Sequence, residues 1–119
     1  MSKIQCVYKI ECLYEEVKQI YIGSSVDLKS RIRGHKGNCN NSNFREYNYP
    51  VYKFIRSRGG WNFWKVSIIK EYAGWTKEQL LIPEQEQMDL LKPELNSQNA
   101  YTGYDKKEYQ KEYRETHKD

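Results

Sequence analysis

Four residues in the first third of the chain carry side chains suited to handling protons beside a phosphate: Tyr8, Tyr21, Arg31 and His35. A guanidinium offers two parallel donors to phosphate oxygens. An imidazole changes charge near neutral pH, whereas a phenol, with a usual pKa of about 10, gives up its proton only where positive charge is close. Arg31 and His35 stand four apart, so on a helix they lie one above the other. Tyr8 closes Cys6-Val7-Tyr8, and Tyr21 opens Tyr21-Ile22-Gly23, two short strand-like segments. Singly, none of the four demands a chemical role. Tyrosines on strands usually pack, a lone arginine is usually a surface charge, and a lone histidine often serves a helix end. Their order and spacing together require an explanation.

The elements that would position them can be read from periodicity. Residues 6–13 mix β-branched, aromatic and apolar types and predict a strand, with 19–23 as the returning strand after a polar connection. No Asn-Gly or Asp-Gly joins them, so the loop is longer than two residues. Asp27 is a good N-cap for a helix over 28–36, where Leu28 and Ile32 form an apolar seam beside the Arg31–His35 row. Residues 37–48, rich in Asn, Ser and Gly, predict a loop. Pro50 suits the first position of a second helix carrying Val51, Phe54 and Ile55, and Gly59-Gly60 stops it. Trp64, Val66 and Ile68 alternate with Lys65 and Ser67 as a third strand. Thr76-Lys77-Glu78-Gln79 is a capping box opening a last helix that ends near Lys92, ahead of Pro93. Pro83 lacks a donor and predicts a kink or a restart within that helix. The fold class is therefore α+β: a small antiparallel three-stranded sheet flanked by helices. We expect one domain over residues 1–103. Residues 104–119 form a charged, Tyr-containing tail whose helix is marginal, because it has no apolar face.

Composition narrows the partners. Ile, Leu, Val and Phe number only 24 of 119 residues, and eleven Tyr and three Trp supply the missing core area. The three cysteines form no Cys-x-x-Cys pair and predict buried free thiols. No apolar run approaches the roughly 18 residues of a membrane span, and the N-terminus lacks a signal-peptide stretch. The expectation is an intracellular, soluble protein of cytoplasm or nucleus with no membrane partner. The net charge of +4 conceals a strong polarity. Residues 24–70 hold ten basic and two acidic side chains, whereas 71–104 hold two and six. A basic block spread over several elements suits a polyphosphate, with Arg33, Lys36, Arg45, Lys53, Arg56 and Arg58 as candidate DNA-binding residues.

With these segments in place, the chain resembles the GIY-YIG endonuclease family over residues 6 to 96. Cys6-Val7-Tyr8 stands for the first signature and Tyr21-Ile22-Gly23 for the second. Arg31 matches the family's helix arginine and His35 its associated histidine. The resemblance further implies a catalytic glutamate at Glu84 in Glu84-Gln85-Glu86-Gln87-Met88, and a closing asparagine at Asn96 in Pro93-Glu94-Leu95-Asn96. Glu86 is the alternative to Glu84. Leu80, Glu84, Met88 and Leu91 share one helix face, from which Glu86 lies about 200 degrees away at roughly 100 degrees per residue. A core-facing residue can enter the site, which favours Glu84.

The resemblance implies a metal-dependent DNA endonuclease, a hydrolase of phosphodiester bonds, with Tyr8, Tyr21, Arg31, His35 and Glu84 as catalytic residues and Gly23 and Asn96 as supports. A lone carboxylate suits one Mg²⁺ or Mn²⁺ ion, which keeps several waters and meets phosphate oxygens. Cys6 departs from the family's usual Gly, Val7 from Ile and Met88 from a branched apolar residue, but no reactive group is lost. The rival expectations are a catalytically silent DNA-binding module of the same fold and a protein-interaction domain with a Tyr-rich tail. The short tail offers no zinc or helix-turn-helix signature, so low sequence specificity, or targeting by a partner protein, is expected.

Overall fold

A computed structural model describes residues 3–96; the tail expected over 104–119 lies outside the described residues. Three strands form one antiparallel sheet: β1 (Gln5–Cys12), β2 (Ile20–Ser25) and β3 (Trp64–Tyr72), with β1 in the centre. Helices α1 (Leu28–Asn40), α2 (Pro50–Ser57) and α3 (Lys77–Leu91) flank it. The fold is the α+β arrangement expected.

Alternation along β1 divides the interior in two. Cys6, Tyr8, Ile10 and Cys12 point to the larger core, where they meet Leu28 and Cys39 of α1 and Val51, Tyr52 and Ile55 of α2. Val7 points the other way and packs with Ile22 and with Met88 of α3. The register sets Tyr8 opposite Gly23 and Ile10 opposite Tyr21. Tyr8 and Tyr21 are therefore diagonal neighbours on one face, a separation that large side chains bridge. On the other side of β1 the ladder slips by one residue, from Val7 opposite Lys70 to Tyr8 opposite Ile68. The extra residue, Ile69, turns into the smaller core as a bulge permits.

Local signals behave as chemistry requires. The Asp27 side chain accepts from the Ser30 N–H and caps α1, and Thr76 and Gln79 complete a reciprocal capping box at α3. Pro50 occupies the first turn of α2. Two expectations are corrected. The segment 37–48 is not one loop: α1 continues to Asn40, and a short 3-10 turn forms over Arg45–Asn48. Gly37 lets this happen, since a Cβ there would lie 2.9 Å from the Phe44 ring that folds back on it. Of the kink or restart expected at Pro83, the restart does not occur, since Pro83 is buried inside a single 15-residue helix. The strand begun at Trp64 also runs past Ile68 to Tyr72.

The three thiols are free and buried. Among the described residues no helix is long and apolar enough to cross a membrane.

Candidate active site

Tyr8 enters from the central strand with no exposed surface, and His35 enters from the middle of α1, equally buried. Tyr8 Oη and His35 Nε2 are 2.7 Å apart, and the other ring nitrogen, Nδ1, lies 2.8 Å from Tyr52 Oη of α2. Asn38, one turn beyond His35, donates from Nδ2 to the same Tyr52 oxygen at 3.3 Å. The Tyr21 ring meets the imidazole edge-on, with centroids 5.4 Å apart. Trp61 stacks against the imidazole at 6.2 Å.

Gly23 makes this convergence possible. A Cβ built on it would lie 2.5 Å from Tyr8 Oη and 3.1 Å from a ring carbon of Tyr21. Any side chain would push the phenols out of place, and the requirement is for space alone.

A second polar group gathers where β2 ends against α3. The Ser24 hydroxyl donates to Glu84 Oε1, and Lys77 Nζ donates to Ser24 Oγ at 2.7 Å while standing 3.7 Å from the same carboxylate oxygen. Lys77 and Glu84 are seven apart, two turns of α3, so they share a face. Glu84 is 7 % exposed. Glu86 is half-buried on another side of α3, where its charge bears on Tyr72 of β3.

Arg31 links the two groups. Its guanidinium lies beside both phenols and favours their ionised forms, and its charge also reaches Glu84 and Lys77. Burial dominates the proton equilibria. It raises the Tyr8 phenol well above its usual range, with Tyr21 adding to the rise and Arg31 opposing it. Burial, with the charges of Arg31 and Lys77, pushes His35 down to about 3, so the ring is neutral at physiological pH. Burial also raises Glu84 against the opposing pull of Ser24, Lys77 and Arg31.

Asn96 works at a distance from the reactive groups. Its amide accepts from the Ile22 N–H and donates to the Ile22 carbonyl, both at 2.8 Å. With Leu95 N–H donating to Ile20 O, it clasps the outer edge of β2.

The candidate DNA-binding side chains are placed unevenly. Arg33 and Lys36 are exposed on α1, with Arg33 about 200 degrees round the helix from Arg31. Arg45 is exposed beside Glu46, and Lys53 is exposed on α2. Arg56 is half-buried, donating to Cys39 O at 3.0 Å and stacking on Tyr47. Arg58 folds over Phe54 and donates to Ser57. Sequence reasoning did not single out Ser24, Lys77, Tyr52 or Asn38. Ser24 and Lys77 had usable signals, one following the second signature directly and the other standing seven before the glutamate.

A family model described as the GIY-YIG catalytic domain matches residues 4–99. The chain belongs to the GIY-YIG family. Domains of this family are generally nuclease domains, and the open three-stranded sheet with three helices agrees with its fold. No curated protein and no solved structure matches the chain.

GIY-YIG nucleases generally depend on a divalent metal. Among the described residues, no three His, Cys, Asp or Glu side chains gather as a ready-made cage. The donor set nevertheless suits a hard cation that keeps most of its waters. Glu84 is a buried oxygen donor, and an ammonium group already stands 3.7 Å from its Oε1, so the position tolerates positive charge.

Proposed function

We propose that this GIY-YIG chain is a metal-dependent endonuclease that hydrolyses phosphodiester bonds in DNA with little intrinsic sequence selectivity. The observation that carries this reading is the placement of Arg31, whose charge acts on the Tyr8–Tyr21 phenols and on the Glu84 carboxylate at once. A phosphate bound there would meet a guanidinium, a phenol and an acid together, the groups its hydrolysis needs.

Glu84 would hold one Mg²⁺ or Mn²⁺, which supplies positive charge against the phosphate and lowers the pKa of water. Ser24 and Lys77 fix the carboxylate in place. Arg31 donates to non-bridging oxygens and offsets charge that builds in the transition state. Tyr8 holds its proton in the resting protein, because burial raises its pKa. It becomes a base only as positive charge collects beside it, and then takes a proton from the attacking water. Tyr21 completes the wall that orients the phosphate, and Asn96 keeps its strand in register. The exposed bases Arg33, Lys36, Arg45 and Lys53 give salt-dependent affinity for the backbone. Arg58 is engaged by Ser57 and Phe54, and Arg56 serves mainly to hold α1 to α2.

Supercoiled plasmid incubated with the protein and Mg²⁺ or Mn²⁺ tests the proposal: nicked or linear product is expected, and chelation abolishes it. Intact plasmid with retained, salt-sensitive binding would mark a silent DNA-binding module instead. Absence of both cutting and binding would mark a protein-interaction domain. Mapping the ends produced from random-sequence duplex measures selectivity, and one sharply defined site would contradict the expectation of little. A targeting partner would appear as selectivity gained only in its presence.

A further inference from the structure

Two obligate donors cap a buried chain of three proton-bearing groups. Asn38 Nδ2 donates to Tyr52 Oη, Tyr52 Oη meets His35 Nδ1, and His35 Nε2 meets Tyr8 Oη. At the far end the Arg31 guanidinium lies beside Tyr8. An amide NH₂ and a guanidinium can only donate. The imidazole is neutral, so its ring carries a single hydrogen.

Tyr8, His35 and Tyr52 therefore bring three hydrogens to two links, and one hydrogen has no acceptor within the chain. It must stay on one of the two end phenols. Tyr52 is 3 % exposed and sits among Cys39, Val51 and Ile55, a poor place for an unpaired hydroxyl. The Tyr8 end looks toward Tyr21 and the Glu84 carboxylate, both near enough to influence it.

We propose that Tyr52, oriented by Asn38, is a positioning residue whose hydroxyl donates to His35 Nδ1 and so fixes His35 Nε2–H as a donor to the Tyr8 oxygen. This rests on the nuclease reading for its purpose but not for its geometry. The Tyr8 hydrogen is then directed away from His35, toward bound substrate. When that proton leaves to solvent, the phenolate keeps two donors, Nε2–H and Arg31, and every remaining hydrogen of the chain is used. The phenolate then takes one proton from the attacking water, and no proton passes through the imidazole. The groups bearing on Tyr8 are Arg31 and His35 from α1, Tyr21 from β2 and Glu84 from α3. Of these, Tyr21 and Glu84 oppose ionisation and Arg31 favours it.

The chain has two histidines, so the 119-residue chain carrying His117→Ala leaves one imidazole to observe. Nitrogen-15 ring spectra at neutral pH should show Nε2 protonated and Nδ1 bare. A protonated Nδ1 overturns the proposal, whether or not any variant folds. Tyr52→Phe in the same protein should lower plasmid nicking by about tenfold, the value of one net hydrogen bond. It should also move the rising limb of the pH–rate profile to higher pH and leave KM for DNA unchanged. An unmoved limb with an unchanged rate would contradict it. If the His117→Ala protein cuts no DNA, the nuclease reading fails, while the ring spectra still decide the tautomer.

Discussion

Tyr8 and Gly23 face each other across the β1–β2 ladder, and a Cβ on residue 23 would lie 2.5 Å from the Tyr8 hydroxyl. The obstructed atoms are the reactive ones, since ring carbon Cζ is also only 2.6 Å away. Gly23→Ala should therefore move the phenol before it unfolds the domain. We expect a stability loss of about 1–3 kcal/mol, typical of over-packing. Nicking should fall by roughly a hundredfold, as an ångström of misplacement implies. Denaturant unfolding beside a plasmid assay checks both, and an alanine variant with unchanged turnover would remove Gly23 from the site.

Arg31 is half-buried between two phenols and a carboxylate, so its replacement separates charge from shape. Arg31→Ala should cost roughly 10²–10³ in cleavage rate, the usual effect of losing one transition-state donor. Arg31→Lys should rescue little, because an ammonium lacks the planar fork. DNA affinity in both should stay within a few-fold, because the exposed bases carry binding. Rate and affinity falling together would assign Arg31 to binding instead.

His35 links acidity to stability. Burial and the nearby Arg31 and Lys77 charges hold its folded pKa at about 3, below the usual imidazole value of about 6.5. The unfolded chain thus binds a proton that the folded chain refuses. Stability from this ring is complete above pH 6.5 and drains away as pH falls toward 3, by about 1.4 kcal/mol per pH unit. Urea unfolding between pH 6.5 and 5, above most carboxylate titrations, should show that slope. His35→Gln should flatten it, and an identical slope in the variant would refute the assignment.

Lys77 shares Glu84 Oε1 with the Ser24 hydroxyl, so an arriving divalent ion meets a resident positive charge. Lys77→Met should lower the apparent Kd for Mn²⁺ several-fold in titration calorimetry, whereas Glu84→Gln should abolish the binding heat. Glu86→Gln should leave it unaltered, since Glu86 bears on Tyr72. Loss of ion binding in Glu86→Gln with retention in Glu84→Gln would reverse the two glutamates.

Much of this arrangement was legible in the sequence because it is written in short-range chemistry. Asp27 and the Thr76–Gln79 box announce helix starts through side chains that cap their own backbone. The face shared by Leu80, Glu84 and Met88 follows from helical spacing, and all three are buried. Leu91, assigned to the same face, is instead 42 % exposed at the last residue of the helix. The partners that tune the site were hidden because they come from far along the chain. Tyr52 meets His35 across 17 residues, and Lys77 meets Ser24 across 53. The extension of α1 through Gly37 and Asn38 runs against local propensity. It is sustained by tertiary packing that buries Cys39 completely.

The clasp of Asn96 on Ile22 carries a consequence for handling the protein. β2 is an outer strand, and outward carbonyls and amides left without partners would be a template for foreign strands. One flat amide, bonded twice, occupies that template at its middle. Asn96→Ala would uncover it, and we expect concentration-dependent self-association, seen as light scattering in stored samples, before any loss of helix content.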